Sequence, residues 1–409
     1  MSRDPSAASP PPSPVPRNRG KGAAGAAAQP RIASDARDRA GAAADGRWID
    51  AVYRVQAGRG DIGARAQAIA LEQSIEAPLA AVGDERVLRE VVAQVGDIVP
   101  AGAQAFDVTI RIAVETTAGE AGQLLNMLFG NTSLHDDVAL VDATFPADFA
   151  LGFGGPAFGI PGIRRITGAV GRPLTCSALK PLGLSARALA DIARTLALAG
   201  IDVIKDDHGL ADQAAAPFAE RVREVQRAVD EANGETGGHC VYAPSLSGHY
   251  QRMREQAAQA EDCGVRMFLV APMIGGVAAL AALAREVNAP IIAHPALAGA
   301  ARIAPPLLLG RLFRMFGADA TIFPNAGGRF GYTAQTCDAI ADAAREPWHG
   351  MAPALPVPAG GMSVERVPEI RARFGADTML LIGGSLLAAG DRLAERCREF
   401  VAAVHGDAR

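Results

Sequence analysis

Residues 174–208 read LTCSALKPLGLSARALADIARTLALAGIDVIKDDH. A short apolar run from Leu174 leads into a helical stretch, Ala186–Leu198, with Ser185 as its N-cap and Gly200 as its C-cap. A second apolar run opens at Asp202 and ends on four ionisable side chains, Lys205, Asp206, Asp207 and His208. Strand, helix, strand over roughly thirty residues is the repeating unit of a parallel sheet. The unit recurs. Further apolar runs begin at Gly238, Met267, Pro290, Ala320, Ala354 and Thr378, so successive onsets from Leu174 lie 23 to 36 residues apart. Helices are readable between them at Phe218–Glu231, Tyr250–Asp262 and Ala278–Val287. Eight strands alternating with helices predict a closed (β/α)8 TIM barrel over residues 151–409. An open doubly wound sheet is the other arrangement of such units, but no Gly-x-Gly-x-x-Gly follows the first strand.

Upstream the pattern is mixed. Ile49–Val55 and Phe106–Val114 alternate like strands, while Ile62–Gln73, Glu85–Val95 and Gly119–Leu128 read as helices. Residues 47–150 are therefore expected to form a smaller α+β, ferredoxin-like domain. Residues 1–46 are rich in Ala, Pro, Gly, Arg and Asp with hardly any large apolar side chains, and are expected to be a disordered tail.

Composition narrows the function classes. Apolar residues make up 49% and charged residues 21%, as in a globular enzyme. The net charge is -4 and no basic stripe occurs, which argues against nucleic acid as a partner. No run of about 18 apolar residues is present, so no membrane span is expected. The five cysteines show neither CxxC spacing nor a disulfide pattern, which points to reduced thiols and a cytoplasmic location.

In such barrels the site forms at the C-terminal ends of the strands. There the sequence places Lys180, the run Lys205–His208, His294, Arg329 beyond the sixth strand, and the pairs Gly360-Gly361 and Gly383-Gly384. Charges converging on one rim are costly unless paired or bound to a metal. Two carboxylates and an imidazole suit a divalent cation, and a rim salt-bridge network is the alternative. Glycine pairs ending strands seven and eight suit a phosphate held by backbone N–H groups, although each pair singly is just a turn. His294 reads as a general acid or base, or as a core histidine.

Several runs resemble the large subunit of RuBisCO: Lys180–Ser185, Lys205–Asp207, Gly154-Gly155-Pro156, Gly171–Leu174, Leu355-Pro356-Val357 with Gly360-Gly361, and Gly383-Gly384. The resemblance spans about residues 50–400 in the same order. It implies an α+β domain before a barrel, and a homodimer, or a higher multiple of dimers, with shared active sites. It also implies a lysine, here Lys205, that CO2 converts to a carbamate and that ligates Mg2+ beside Asp207. His208 stands where a glutamate ligand is usual. Lys180 matches a lysine of proton transfer, His294 a catalytic histidine, and Glu72 and Asn131 the residues that reach the partner's site.

The departures imply a different reaction. Pro295 replaces an arginine, and Ile322 or Phe323 a histidine, both of which serve the distal phosphate. Ala359 replaces a serine, and Gly327-Gly328-Arg329 replaces a Gly-Lys motif. The chain is thus similar to the RuBisCO-like, form IV group and is not expected to carboxylate a bisphosphate. What remains suits a sugar monophosphate enolised through a metal-bound enediolate. The favoured expectation is 5-methylthioribulose-1-phosphate isomerase, with an apolar distal end for the methylthio tail. The alternatives are 3-oxo-isoapionate-4-phosphate decarboxylase or transcarboxylase, with Arg329 meeting a carboxylate, and a catalytically silent barrel acting as a regulatory or scaffold subunit.

Overall fold

The computed structural model describes residues 46–56 and 61–406. The expected tail, residues 1–46, therefore lies outside the described residues except for its last position.

Four strands form the N-terminal sheet: β1 (Trp48–Gln56), β2 (Gln94–Pro100), β3 (Ala105–Ala113) and β4 (Val138–Thr144). Their order is β2-β3-β1-β4 with antiparallel neighbours, the ferredoxin-like arrangement. Alternation along β1 buries Ile49, Ala51, Tyr53 and Val55 against the helices Ile62–Glu72 and Ala121–Phe129. One expectation fails here. The helix expected over Glu85–Val95 stops at Glu90, and the chain then enters β2. This edge strand is mostly exposed and carries Gly96 and Asp97, so it has no apolar alternation to betray it; ladder bonds to β3 make it a strand. β4 likewise was not singled out by the sequence pattern.

The barrel strands are β5 (Leu174–Leu179), β6 (Val203–Asp206), β7 (Val241–Ala243), β8 (Ser245–Leu246), β9 (Phe268–Val270), β10 (Ile291–Ala293), β11 (Ala320–Pro324), β12 (Leu355–Ala359) and β13 (Met379–Leu381). Every expected onset is followed by a strand. All neighbours pair in parallel, in two runs, β13-β5-β6-β7 and β8-β9-β10-β11-β12. Side chains close the two seams. Between the last two strands, Thr378 Oγ1 donates to the Pro356 carbonyl at 3.0 Å. In the third strand position Pro244, which has no N–H, separates β7 from β8. There the Asp206 carboxylate of β6 accepts from Ser245 N at 3.0 Å, Tyr242 Oη at 2.8 Å and Arg221 Nε at 3.1 Å.

Strand alternation sorts the barrel. Leu174, Cys176, Val203, Ile292, Ile322, Val357 and Leu381 fill the interior, closed from below by Ile160 and Ile163 of the helix Gly159–Thr167. Residues of the other parity, such as Ile204, Ile291 and Phe323, pack against the helices outside. The helix expected at Phe218–Glu231 runs to Thr236, and the fifth helical position opens as a π-helix, Pro306–Leu312. Among the described residues no disulfide forms and no helix is long and apolar enough to cross a membrane.

The Asp206–Arg221 pair is fully buried. Removing one partner of such a pair leaves a charge with no compensation, so Arg221→Met should lower unfolding free energy by about 3–5 kcal/mol in urea titration. Tyr242→Phe should cost less, about 1.5–3 kcal/mol, as loss of one hydrogen bond to a charged group. A loss for Arg221→Met within the roughly 0.5 kcal/mol of a neutral surface change would show that the pair does not support the barrel.

Candidate active site

The interior parity continues past the strand ends and selects the site. Leu174, Cys176 and Ala178 lead to Lys180; Val203 leads to Lys205 and Asp207; Ile292 leads to His294; Leu381 leads to Gly383. These residues line a cavity of about 670 Å3 together with His208, Arg329, Gly360, Gly361 and Gly384. Ten of the twelve expected site residues thus meet in one place.

Lys180 Nζ lies 2.6 Å from Asp207 Oδ1, and His208 Nδ1 lies 3.3 Å from the same oxygen. Burial alone would raise the Asp207 carboxyl, but hydrogen bonds from His208 and Lys180, and the charges of Lys180 and Lys205, hold it well below the usual carboxylate range. Lys205 is 3% exposed and donates to the Asp206 carbonyl at 2.9 Å. Its ammonium is pushed down by burial, with no direct carboxylate contact to offset it. The His294 ring stacks on that of His208 at 4.1 Å between centroids. Burial first, then the Lys205 charge, push the His294 imidazole down to about 2. Its Nδ1 accepts from Ala296 N at 3.1 Å, so in the neutral ring the hydrogen sits on Nε2. Asp206 faces outward and holds the strand end from behind, its carboxyl pushed up by burial against the opposing pull of Arg221.

The pair Gly360-Gly361 sits where backbone approaches backbone. Gly360 and Gly361 have φ of +74° and +73°. A Cβ on Gly361 would lie 2.5 Å from Gly328 Cα, and one on Gly328 would lie 2.2 Å from the Gly360 carbonyl oxygen. The loops after β11 and β12 therefore pack main chain to main chain, and Ser385 Oγ ties the loop after β13 to the Met362 carbonyl at 2.8 Å. Gly383 and Gly384 open the helix Gly384–Leu387, whose first N–H groups have no acceptor within the helix. The Arg329 backbone N lies beside Gly361, and its guanidinium lies 4.9 Å from the Phe330 ring centre.

Pro295, Leu297 and Ile322 add hydrocarbon to the lining of the same cavity. Of the two positions weighed for the lost histidine, Ile322 belongs to the barrel interior. Phe323 packs outward against Phe374, with 6.0 Å between ring centres. Leu297 and Tyr332 also line the cavity, and no sequence signal pointed to either.

Glu72 and Asn131 do not line the cavity of their own chain. They meet each other instead, Asn131 Nδ2 donating to Glu72 Oε1 at 2.9 Å and to Glu76 Oε1 at 3.1 Å. Arg302 grips the segment that follows through the carbonyls of Ser133, His135 and Val138. Among the described residues no three His, Cys, Asp or Glu side chains gather as a cation site.

Comparison with known proteins agrees with this geometry. The family described as ribulose bisphosphate carboxylase large chain, catalytic domain, matches residues 159–319. A 5-methylthioribulose-1-phosphate isomerase of Rhodospirillum rubrum is 54% identical over 362 residues, 88% of this chain and 97% of that protein. A 2,3-diketo-5-methylthiopentyl-1-phosphate enolase of Geobacillus kaustophilus is 35% identical over 72% of this chain and 74% of its own. The crystal structure of a Rubisco-like protein from Rhodopseudomonas palustris matches with a TM-score of 0.83 at 48% identity, covering 89% of this chain and 99% of that one. The chain belongs to the RuBisCO large-chain family, among its RuBisCO-like members.

Proposed function

We propose that this protein is a non-carboxylating isomerase that moves a proton along 5-methylthioribulose 1-phosphate. One observation carries the reading: a single cavity is lined by a lysine and imidazole cluster, two glycine pairs and the hydrocarbon of Pro295, Leu297 and Ile322. A monophosphate with an apolar tail matches both kinds of lining. A bisphosphate would bury its second phosphate against Pro295, Leu297 and Ile322, where it finds no partner. The isomerase of Rhodospirillum rubrum supports the same substrate for this chain. The decarboxylase alternative needs a cation facing a substrate carboxylate, but Arg329 stands beside Gly361, on the side read here as the phosphate cradle.

A divalent cation fits the donor set. Burial biases Lys205 toward the neutral amine, the form that attacks CO2 and, on losing a proton, becomes a carbamate. The carbamate oxygens, the ionised Asp207 and the His208 ring would then hold Mg2+, a hard ion that prefers the oxygens. When bound, such an ion polarises a carbonyl and acidifies the neighbouring C–H. The chain's own groups do the rest. Lys180 carries the proton from one carbon to another. His294 donates from Nε2 to a substrate oxygen, its ring fixed by the Ala296 N–H. Backbone N–H groups of Gly360, Gly361, Gly383 and Gly384 hold the phosphate, with Arg329 adding charge. Glu72 and Asn131 serve the partner's cavity in a homodimer, or a higher multiple of dimers, with shared active sites; their absence from their own chain's cavity supports this.

Incubation with 5-methylthioribulose 1-phosphate in deuterated water should place deuterium in the product, read by NMR; a substrate that stays unlabelled sinks the reading. Lys180→Met should lower kcat by about 10²- to 10⁴-fold with little change in KM, as expected when a proton-transferring group is removed. Lys205→Ala should abolish CO2-dependent Mg2+ binding in titration calorimetry. Binding that survives this substitution would move the metal elsewhere.

A further inference from the structure

The cavity just described has a neighbour. A second cavity of about 240 Å3 adjoins it, and Gly299 and Tyr332 line both. Ala301, Ile303, Leu308 and Leu309 are part of the remaining lining, which is entirely hydrocarbon in its side chains. The lysines, the imidazoles and both glycine pairs line the first cavity alone. The charged lining of the first cavity and the apolar lining of the second therefore meet at Gly299 and Tyr332.

The backbone is irregular where it walls this space. Leu297 has φ of +68°, a left-handed conformation that residues with side chains avoid. Pro306–Leu312 is a π-helix, a form that is rare and recurs at functional sites. Leu308 and Leu309 of that π-helix line the second cavity, and Leu297 lines the first. Departures of this kind persist where surrounding structure enforces them, and they cluster at ligand clamps.

We infer that the second cavity is the end of a tail subsite, which takes alkylthio groups longer than methyl on the substrate carbon farthest from the phosphate. The inference rests on the isomerase reading above, which sets the phosphate at the glycine pairs. Size and polarity carry it. A methyl group takes about the space of one water, roughly 30 Å3. An S-methyl group therefore leaves most of the 240 Å3 unfilled. A thioether chain needs no hydrogen-bond partner, and apart from the Tyr332 hydroxyl the side chains of the lining offer none.

The test is steady-state isomerisation of 5-alkylthioribulose 1-phosphates bearing methyl, ethyl and propyl groups. KM should fall about three- to four-fold for each added methylene, the fold-change that burying one CH2 supplies. Because the tail is remote from the reacting carbons, kcat should change little. Ala301→Phe places a ring in the second cavity, and the preference for propyl over methyl in kcat/KM should drop about ten-fold or more, the two lost methylenes together. Ile303→Trp fills the same space from another position and serves if the first variant fails to fold, as judged by circular dichroism. A chain that isomerises the methyl compound and rejects the propyl one overturns the subsite. So does a propyl preference that survives both fillings. Turnover of none of the three overturns the isomerase reading and this inference with it.

Discussion

A β-strand turns alternate side chains to opposite faces, and closing a parallel sheet makes one parity interior. The active site of this protein is a consequence of that constraint. Lys180, Lys205, Asp207 and His294 are the next inward positions above the apolar layers formed by Ala178, Val203 and Ile292. A shift of one residue in β6 would exchange Lys205 and Asp207 for Asp206 and His208. The Asp206 carboxylate works against such a shift. Held outside the barrel by Arg221, Tyr242 and Ser245, it fixes the register of the strand end that carries the inward pair.

The same burial sets the electrostatics. Asp207 collects Lys180 and His208 on one oxygen and stays ionised, whereas Lys205 has only a carbonyl beside it and is biased toward the neutral amine. Two lysines on neighbouring strands thereby take different partners, a carboxylate for Lys180 and a carbonyl for Lys205. Pro295, Leu297 and Ile322 line the same cavity, so one barrel mouth offers both donors and hydrocarbon to a single ligand.

Much of this was legible in the sequence. The barrel follows from regularly spaced apolar runs, because each strand and each helix carries its own period. The strand-end residues follow from knowing where barrels place their sites. What escaped was structure without periodicity of its own. β2 is an exposed edge, and its ladder to β3 overrode the helical reading of Val91–Val95. The π-helix Pro306–Leu312 looks like any apolar helix in sequence. Leu297 and Tyr332 lie in loops, where spacing says nothing about direction.

The sequence by itself determined the fold class, the inward charged layer and the loss of polar groups at the distal end, since these depend on residue type and on position along a strand. Only the tertiary structure decided which partner each charge takes. It separated Asp206 from its neighbours by turning it outward to Arg221, and chose Ile322 over Phe323 as the interior residue. It also kept Glu72 and Asn131 off the lining of their own chain's cavity. Partners are set by distances between segments far apart in the chain, and no local pattern encodes those distances.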